Sequence, residues 1–209
     1  MYALSVGLVD RVKNCSPEAA LEEFKSALSQ MKSVSLDRNL RFSSPELRNA
    51  ELLRSSAKDC PKDFKLDLKE NSETYEADLE RTKTNSITAG EQYRRSRDGT
   101  KFEQDIGRLR EEVNRKSNAS IHAAYDKARK SGENHRNNPV ALSGILAALN
   151  GFNDIILSAG EKTFNGLVEY FFKVIDFVAG AFEFISDVVI SAVYGVVNFI
   201  RSLFLRIER

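Results

Sequence analysis

Cysteine and histidine are scarce in this chain, with two of each among 209 residues. Two cysteines cannot make a disulfide framework. Cys15 and Cys60 lie in "NCSPE" and "DCPKD", without a CxxC pair and without metal-ligand spacing to His122 or His135. A zinc site is therefore not expected, and free thiols in reducing surroundings are. Charge of one sign is lacking too: 31 basic residues stand against 30 acidic, a net charge of +1. Such a balance gives no global attraction to nucleic acid or to anionic lipid. The local run "YRRSRDGTK", with Arg94, Arg95, Arg97 and Lys101, has acids close behind it and no aromatic platform. It reads as a solvated helix face, and nucleic acid is not an expected partner.

Motifs that carry chemistry are missing as well. No G-x-S-x-G, P-loop, G-x-G-x-x-G or H-E-x-x-H occurs. No residue stands out as a nucleophile or a base, so a non-enzymatic protein without cofactor or metal is expected. The first residues, "MYALSVGLVDRVKN", hold no basic leader and no apolar run of signal length, because Asp10 and Arg11 interrupt them. A cleaved secretory signal is not expected.

What the chain does have is helical periodicity. Leu4, Leu8 and Val12 make a short amphipathic stretch over residues 1–13. Ser16, Pro17 and Glu18 read as N-cap, first position and first turn of a second helix. Leu21, Phe24, Leu28, Met31 and Val34 then recur at steps of three and four, one helix face. The same opening recurs at Ser44-Pro45-Glu46, followed by Leu47, Ala50, Leu53 and Ala57. "KDFKLDLKE" alternates and reads as an extended connection or a helix start. The polar stretch 71–97 carries a break at "TNSITAGEQ" and a turn at Asp98-Gly99. Over 100–130, Phe102, Ile106, Leu109 and Val113 form a thin coiled-coil seam that Lys116 and Ser120 interrupt. So narrow a stripe predicts a helix outside any deep core. Gly132 and Asn137-Asn138-Pro139 end it, and mark the boundary between a polar region 1–138 and an apolar region 139–209. The apolar region opens with a helical segment closed by Gly160, with Gly151 as a second break.

The last 47 residues, 163–209, hold 29 of the types AVILMFWYC and eight of the thirteen phenylalanines. Placed on a helix, Glu169, Lys173, Asp176, Glu183, Asp187 and Arg201 fall on one narrow polar stripe. Phe171, Phe172, Ile175, Phe182, Ile185, Val189, Val193, Val197, Ile200 and Phe204 occupy the apolar circumference. A span over 164–186 would bury four charges, at roughly 2.5–3.5 kcal/mol for each central Asp or Lys. The stripe is mainly acidic, whereas surface-lying lipid helices usually carry Lys and Arg. An all-α fold is expected: amphipathic helices in a polar N-terminal region, then a long apolar C-terminal helix with that stripe. The expected role is association with membrane lipid or with other protein subunits as an oligomer, on the intracellular side. A structural subunit of a larger complex and a pore-forming effector are the alternatives.

Overall fold

A computed structural model of the chain describes residues 2–36, 58–96 and 99–176. The described residues are all-α, with five helices and no strand: α1 (Tyr2–Lys13), α2 (Ala20–Leu36), α3 (Lys62–Ser96), α4 (Gly99–Asn134) and α5 (Pro139–Asp176). They contribute to two compact units: residues 1–71 with 120–154, and residues 72–119 with 155–209.

In the first unit the organising element is the start of α5. Asn138 caps it, its Oδ1 accepting from the Ala141 amide at 3.0 Å, and Pro139 takes the first helical position. Residues 141–147 are all buried, so the helix is covered on every side. Leu142, Ile145, Leu146 and Leu149 have no exposed surface. The other helices of the unit each bury one face: Leu8, Val9 and Val12 from α1; Phe24, Leu28 and Met31 from α2; Phe64 and Leu68 from α3; Ile121, Ala124, Tyr125 and Ala128 from α4. Each buried large side chain contributes about 1.5–3 kcal/mol against leaving it in water. On α2 the expected face holds at Phe24, Leu28 and Met31, while Leu21 and Val34 are half-buried.

Two glycines set close approaches in this unit. A Cβ on Gly144 would stand 2.5 Å from the Cys60 amide nitrogen and 2.6 Å from the Asp59 carbonyl carbon. One on Gly132 would strike the buried ring of Phe24. Gly132 therefore lies inside α4, where the sequence reads an ending; the turn comes at residues 135–138, where the Asn138 amide donates to the His135 carbonyl at 2.9 Å.

The second unit contains residues 72–96 of α3, 99–119 of α4 and the later part of α5. Its described interior is lean in large apolar groups and rich in hydroxyls: Tyr75, Leu79, Thr82 and Ser86, Leu109, Val113 and Ser117, Ile156, Ala159 and Thr163 are buried. Thr82 donates to the Asp78 carbonyl at 3.0 Å, Ser86 to that of Thr82 at 2.7 Å, and Ser117 to that of Val113 at 2.9 Å. These bonds to the preceding turn satisfy the buried hydroxyls within their own helices.

Several expectations are corrected. "TNSITAGEQ" is no break, because its hydroxyls bond backward along α3: Thr84 and Thr88 also donate to carbonyls four residues earlier, both at 3.1 Å. Of the two readings of "KDFKLDLKE" the helix start holds, and its alternation resolves into Phe64 and Leu68 inside with Leu66 66% exposed. The α4 seam does enter a core, because small and hydroxyl residues continue it where Lys116 and Ser120 were expected to end it: Ser117, Ser120 and Ile121 are buried. Neither Gly151 nor Gly160 interrupts α5. The α2 helix begins at Ala20, three residues after the expected Pro17, because Ser16–Ala19 form a turn in which the Ala19 amide donates to the Ser16 carbonyl at 3.1 Å. Ser44-Pro45-Glu46 and its following helix lie outside the described residues, as do the side chains of Leu4, Phe102 and Ile106.

The tight contact at Gly144 gives a prediction of sign. Gly144→Ala lowers stability by about 1–3 kcal/mol through overpacking. Gly151→Ala on the same helix, where a Cβ meets nothing within 4 Å, raises it by up to about 1 kcal/mol. Urea midpoints of the two variants test this, and Leu146→Ala serves as a cavity reference at about 2–5 kcal/mol of loss.

Candidate functional site

Of the sequence-predicted face and stripe, Glu169, Phe171, Phe172, Lys173, Ile175 and Asp176 fall on the last turns of α5. Their side chains lie outside the described part of the structure. Phe182, Glu183, Ile185, Asp187, Val189, Val193, Val197, Ile200, Arg201 and Phe204 lie outside the described residues altogether. No described helix is long and apolar enough to cross a membrane. Among the described residues no three His, Cys, Asp or Glu side chains gather as a metal site.

The structure draws attention to a site that periodicity alone does not mark. In the first unit a groove of about 350 Å³ runs between α2 and α4. Lys25, Leu28, Ser29 and Lys32 line it from α2, at the spacing of one helix face; Tyr125, Arg129 and Glu133 line it from α4, one turn apart. Its walls are charged, and Leu28 and Tyr125 are its buried members. The signal in the sequence is a set of basic residues flanking an apolar face, which reads as ordinary solvated helix until the partner helix is known.

The charges along the groove are not equally engaged. Lys25 sits 3.2 Å from Glu133 and 3.4 Å from Glu22, and its hydrogen bond to Glu133, foremost, holds its pKa above the usual lysine value. Lys32 lies 3.9 Å from the exposed carboxylate of Asp126 and 5.9 Å from the centroid of the Tyr125 ring, a weak ion pair and a cation–π contact. Arg129 is exposed and makes no ion pair with a described residue.

Tyr125 joins this groove to the interior. Its ring lines the groove, while its hydroxyl is in reach of Ser35 Oγ at 3.2 Å and accepts from Asn153 Nδ2 at 2.8 Å. Asn153 Nδ2 also donates to Ser35 Oγ at 2.9 Å. One phenol thus ties α2, α4 and α5 together. Nearby, Asn71 and Ser120 form a reciprocal pair: Asn71 Nδ2 donates to the Ser120 carbonyl at 2.8 Å, and Ser120 Oγ to Asn71 Oδ1 at 2.9 Å. Lys127 bridges α4 to Asp67 at 2.8 Å and Glu70 at 2.9 Å on α3. The second unit repeats the tyrosine device by itself: Tyr75 Oη meets Ser117 Oγ at 2.7 Å and donates to the Ile156 carbonyl at 3.2 Å.

Compared with known proteins, the chain matches no family model, and neither a curated protein nor a solved structure matches it.

Burial pushes the Tyr125 hydroxyl up to about 12, against the opposing bonds from Ser35 and Asn153. It pushes Tyr75 up to about 12 as well, and the Cys60 thiol from 9 to about 12. In the unfolded chain these groups ionise first, at their ordinary values. Their contribution to stability is therefore whole below about pH 9 and is lost as pH rises toward about 12. Urea midpoints measured from neutral to alkaline pH are expected to fall through that window. Tyr125→Phe is expected to cost about 0.5–1.5 kcal/mol at neutral pH by removing the phenol's bonds to Ser35 and Asn153, which keep their bond to each other, and to make the alkaline fall shallower.

Proposed function

We propose that this is a non-enzymatic helical protein that associates with a membrane, with other copies of itself, or with both, through the apolar helical region that closes the chain. The observation that carries the proposal is the composition of 163–209, where 29 of 47 residues are apolar and the charges from Glu169 to Arg201 share one stripe. The packing of the first unit supports it. The apolar faces of α1 to α4 there are already buried within that unit, and the large apolar side chains left exposed among the described residues are Leu66 and Val140. These two offer no face on which a further apolar helix could be covered. An uncovered apolar surface of that length would far exceed the few hundred Å² usual for a soluble monomer. Lipid or another subunit is then the natural shelter, and the intracellular side is the compartment that two free cysteines favour. The same features suit a structural subunit of a larger complex, which its partner would solubilise. The pore-forming alternative sets the stripe of Glu169, Lys173, Asp176, Glu183 and Asp187 toward a lumen, and requires that the purified chain release dye from liposomes.

The test is flotation of the full chain with neutral vesicles, with its mass measured in and out of detergent. The full chain is expected to float or to self-associate. Ile185→Asp with Val193→Asp is expected to reduce this more than about tenfold, since each Asp costs about 2.5–3.5 kcal/mol at the centre of an apolar environment. A chain ending at Asp176 keeps every described helix and is expected to behave likewise. A full chain that neither floats nor self-associates, and stays monomeric without detergent, contradicts the proposal.

A further inference from the structure

The groove between α2 and α4 has the makings of a ligand site independent of the C-terminal region. Its volume, about 350 Å³, falls at the small end of the range for small-molecule pockets. Three cations line it against a single carboxylate, Glu133. That carboxylate is taken up by Lys25 at 3.2 Å. Two cations remain for a ligand. Arg129 has no ion pair among the described residues, and Lys32 has only the exposed Asp126 at 3.9 Å. They come from opposite helices, so an anion placed between them is gripped from both sides. A guanidinium offers two parallel donors to a phosphate, and an ammonium adds a point charge.

The wall between these cations is Leu28 and the ring of Tyr125, both buried. The phenol is held from behind by Ser35 and Asn153, so its ring cannot swing without breaking that cluster. Leu28 and Tyr125, 4% and 2% exposed, give the groove a fixed floor, and the aliphatic stems of Lys25, Lys32 and Arg129 that line it supply the apolar surface for the carbon skeleton that carries an anion. We propose that the groove binds a phosphate ester, its phosphate between Arg129 and Lys32 and its apolar part along the stems of the lining lysines, over the floor of Leu28 and Tyr125. A dianionic phosphate matches the charge of Arg129 together with the weakly paired Lys32, which a carboxylate does not. The phosphate can belong to a soluble ester or to a lipid headgroup; the chemistry at the groove is the same.

The experiment uses the full chain and three probes: inorganic phosphate, dihexanoyl phosphatidate below its micellar concentration, and phosphatidylcholine vesicles with or without phosphatidate. Binding of the two soluble probes is followed by calorimetry. Both are expected to bind, phosphatidate more tightly because its acyl part also lies along those stems. Arg129→Gln and Lys32→Gln are each expected to weaken binding about tenfold, the loss of one charge-assisted contact. Arg108→Gln, an exposed α4 site already paired with Asp105 at 3.6 Å, is expected to change nothing. Arg129 is exposed, so its variant is expected to fold; an unchanged melting temperature checks this. Competition by phosphatidate vesicles assigns the site to lipid, and its absence assigns it to soluble esters. Absence of phosphate binding, equal binding by the Arg129 and Lys32 variants, or acetate binding as tightly as phosphate would overturn the proposal. Flotation from neutral vesicles is expected to be unaffected by Arg129→Gln, which separates failure of this site from failure of the C-terminal reading.

Discussion

The structure depends on covering one apolar helix. At 141–147 α5 has no face that tolerates water, so each of its sides needs a neighbour. The neighbours are highly charged helices that can each spare only a stripe. Α stripe from one helix covers part of a cylinder, and several such stripes together close the first unit. This is why helices as polar as α3 and α4 have fully buried residues at all. Their charged flanks remain in water, where pairs such as Arg108 with Asp105 at 3.6 Å contribute little to stability.

Thin stripes leave little room for large side chains, and the interior reflects it. Where two helices come close, glycine, serine, threonine and asparagine replace leucine. A buried hydroxyl is costly unless it is bonded. Here it is bonded to its own helix, as in Thr82 and Ser86, to a tyrosine that spans helices, as in Ser35 and Ser117, or to a polar side chain of a neighbouring helix, as in Ser120 with Asn71. The tyrosines fix both spacing and register, since a Tyr125 hydroxyl displaced by one turn would meet neither Ser35 nor Asn153. The groove between α2 and α4 inherits a rigid wall from the same arrangement.

This explains what is legible in the sequence and what is not. The α2 face is legible because Phe24, Leu28 and Met31 are large and regularly spaced. The start of α5 is legible because Asn138-Pro139 is a strong local signal. The depth of α4 is not, because Ser117, Ser120, Ala124 and Ala128 resemble surface residues until partners are known. The continuity of α3 is hidden for a similar reason: threonine and serine favour turns in isolation, but they bond back to the preceding turn inside a helix. Gly132 reads as a stop, yet it is where Phe24 needs space. The groove is least legible of all, since Lys32 and Arg129 are 97 positions apart and only the pairing of α2 with α4 unites them. The expected C-terminal face, from Phe171 to Phe204, rests on composition and periodicity.

Covering the start of α5 also bears on the remainder of the apolar region. The faces of the charged helices in the first unit are taken up by its own interior, and the proposal that lipid or a subunit shelters the remaining apolar stretch is argued from that together with its composition. Everything therefore turns on whether α5 is sealed where the packing says it is. Hydrogen exchange on the full chain measures this directly. The amides of 142–149 are expected to exchange only by global unfolding, more slowly than those on the exposed faces of α2 and α4. Exchange of 142–149 as fast as those exposed faces would contradict the account.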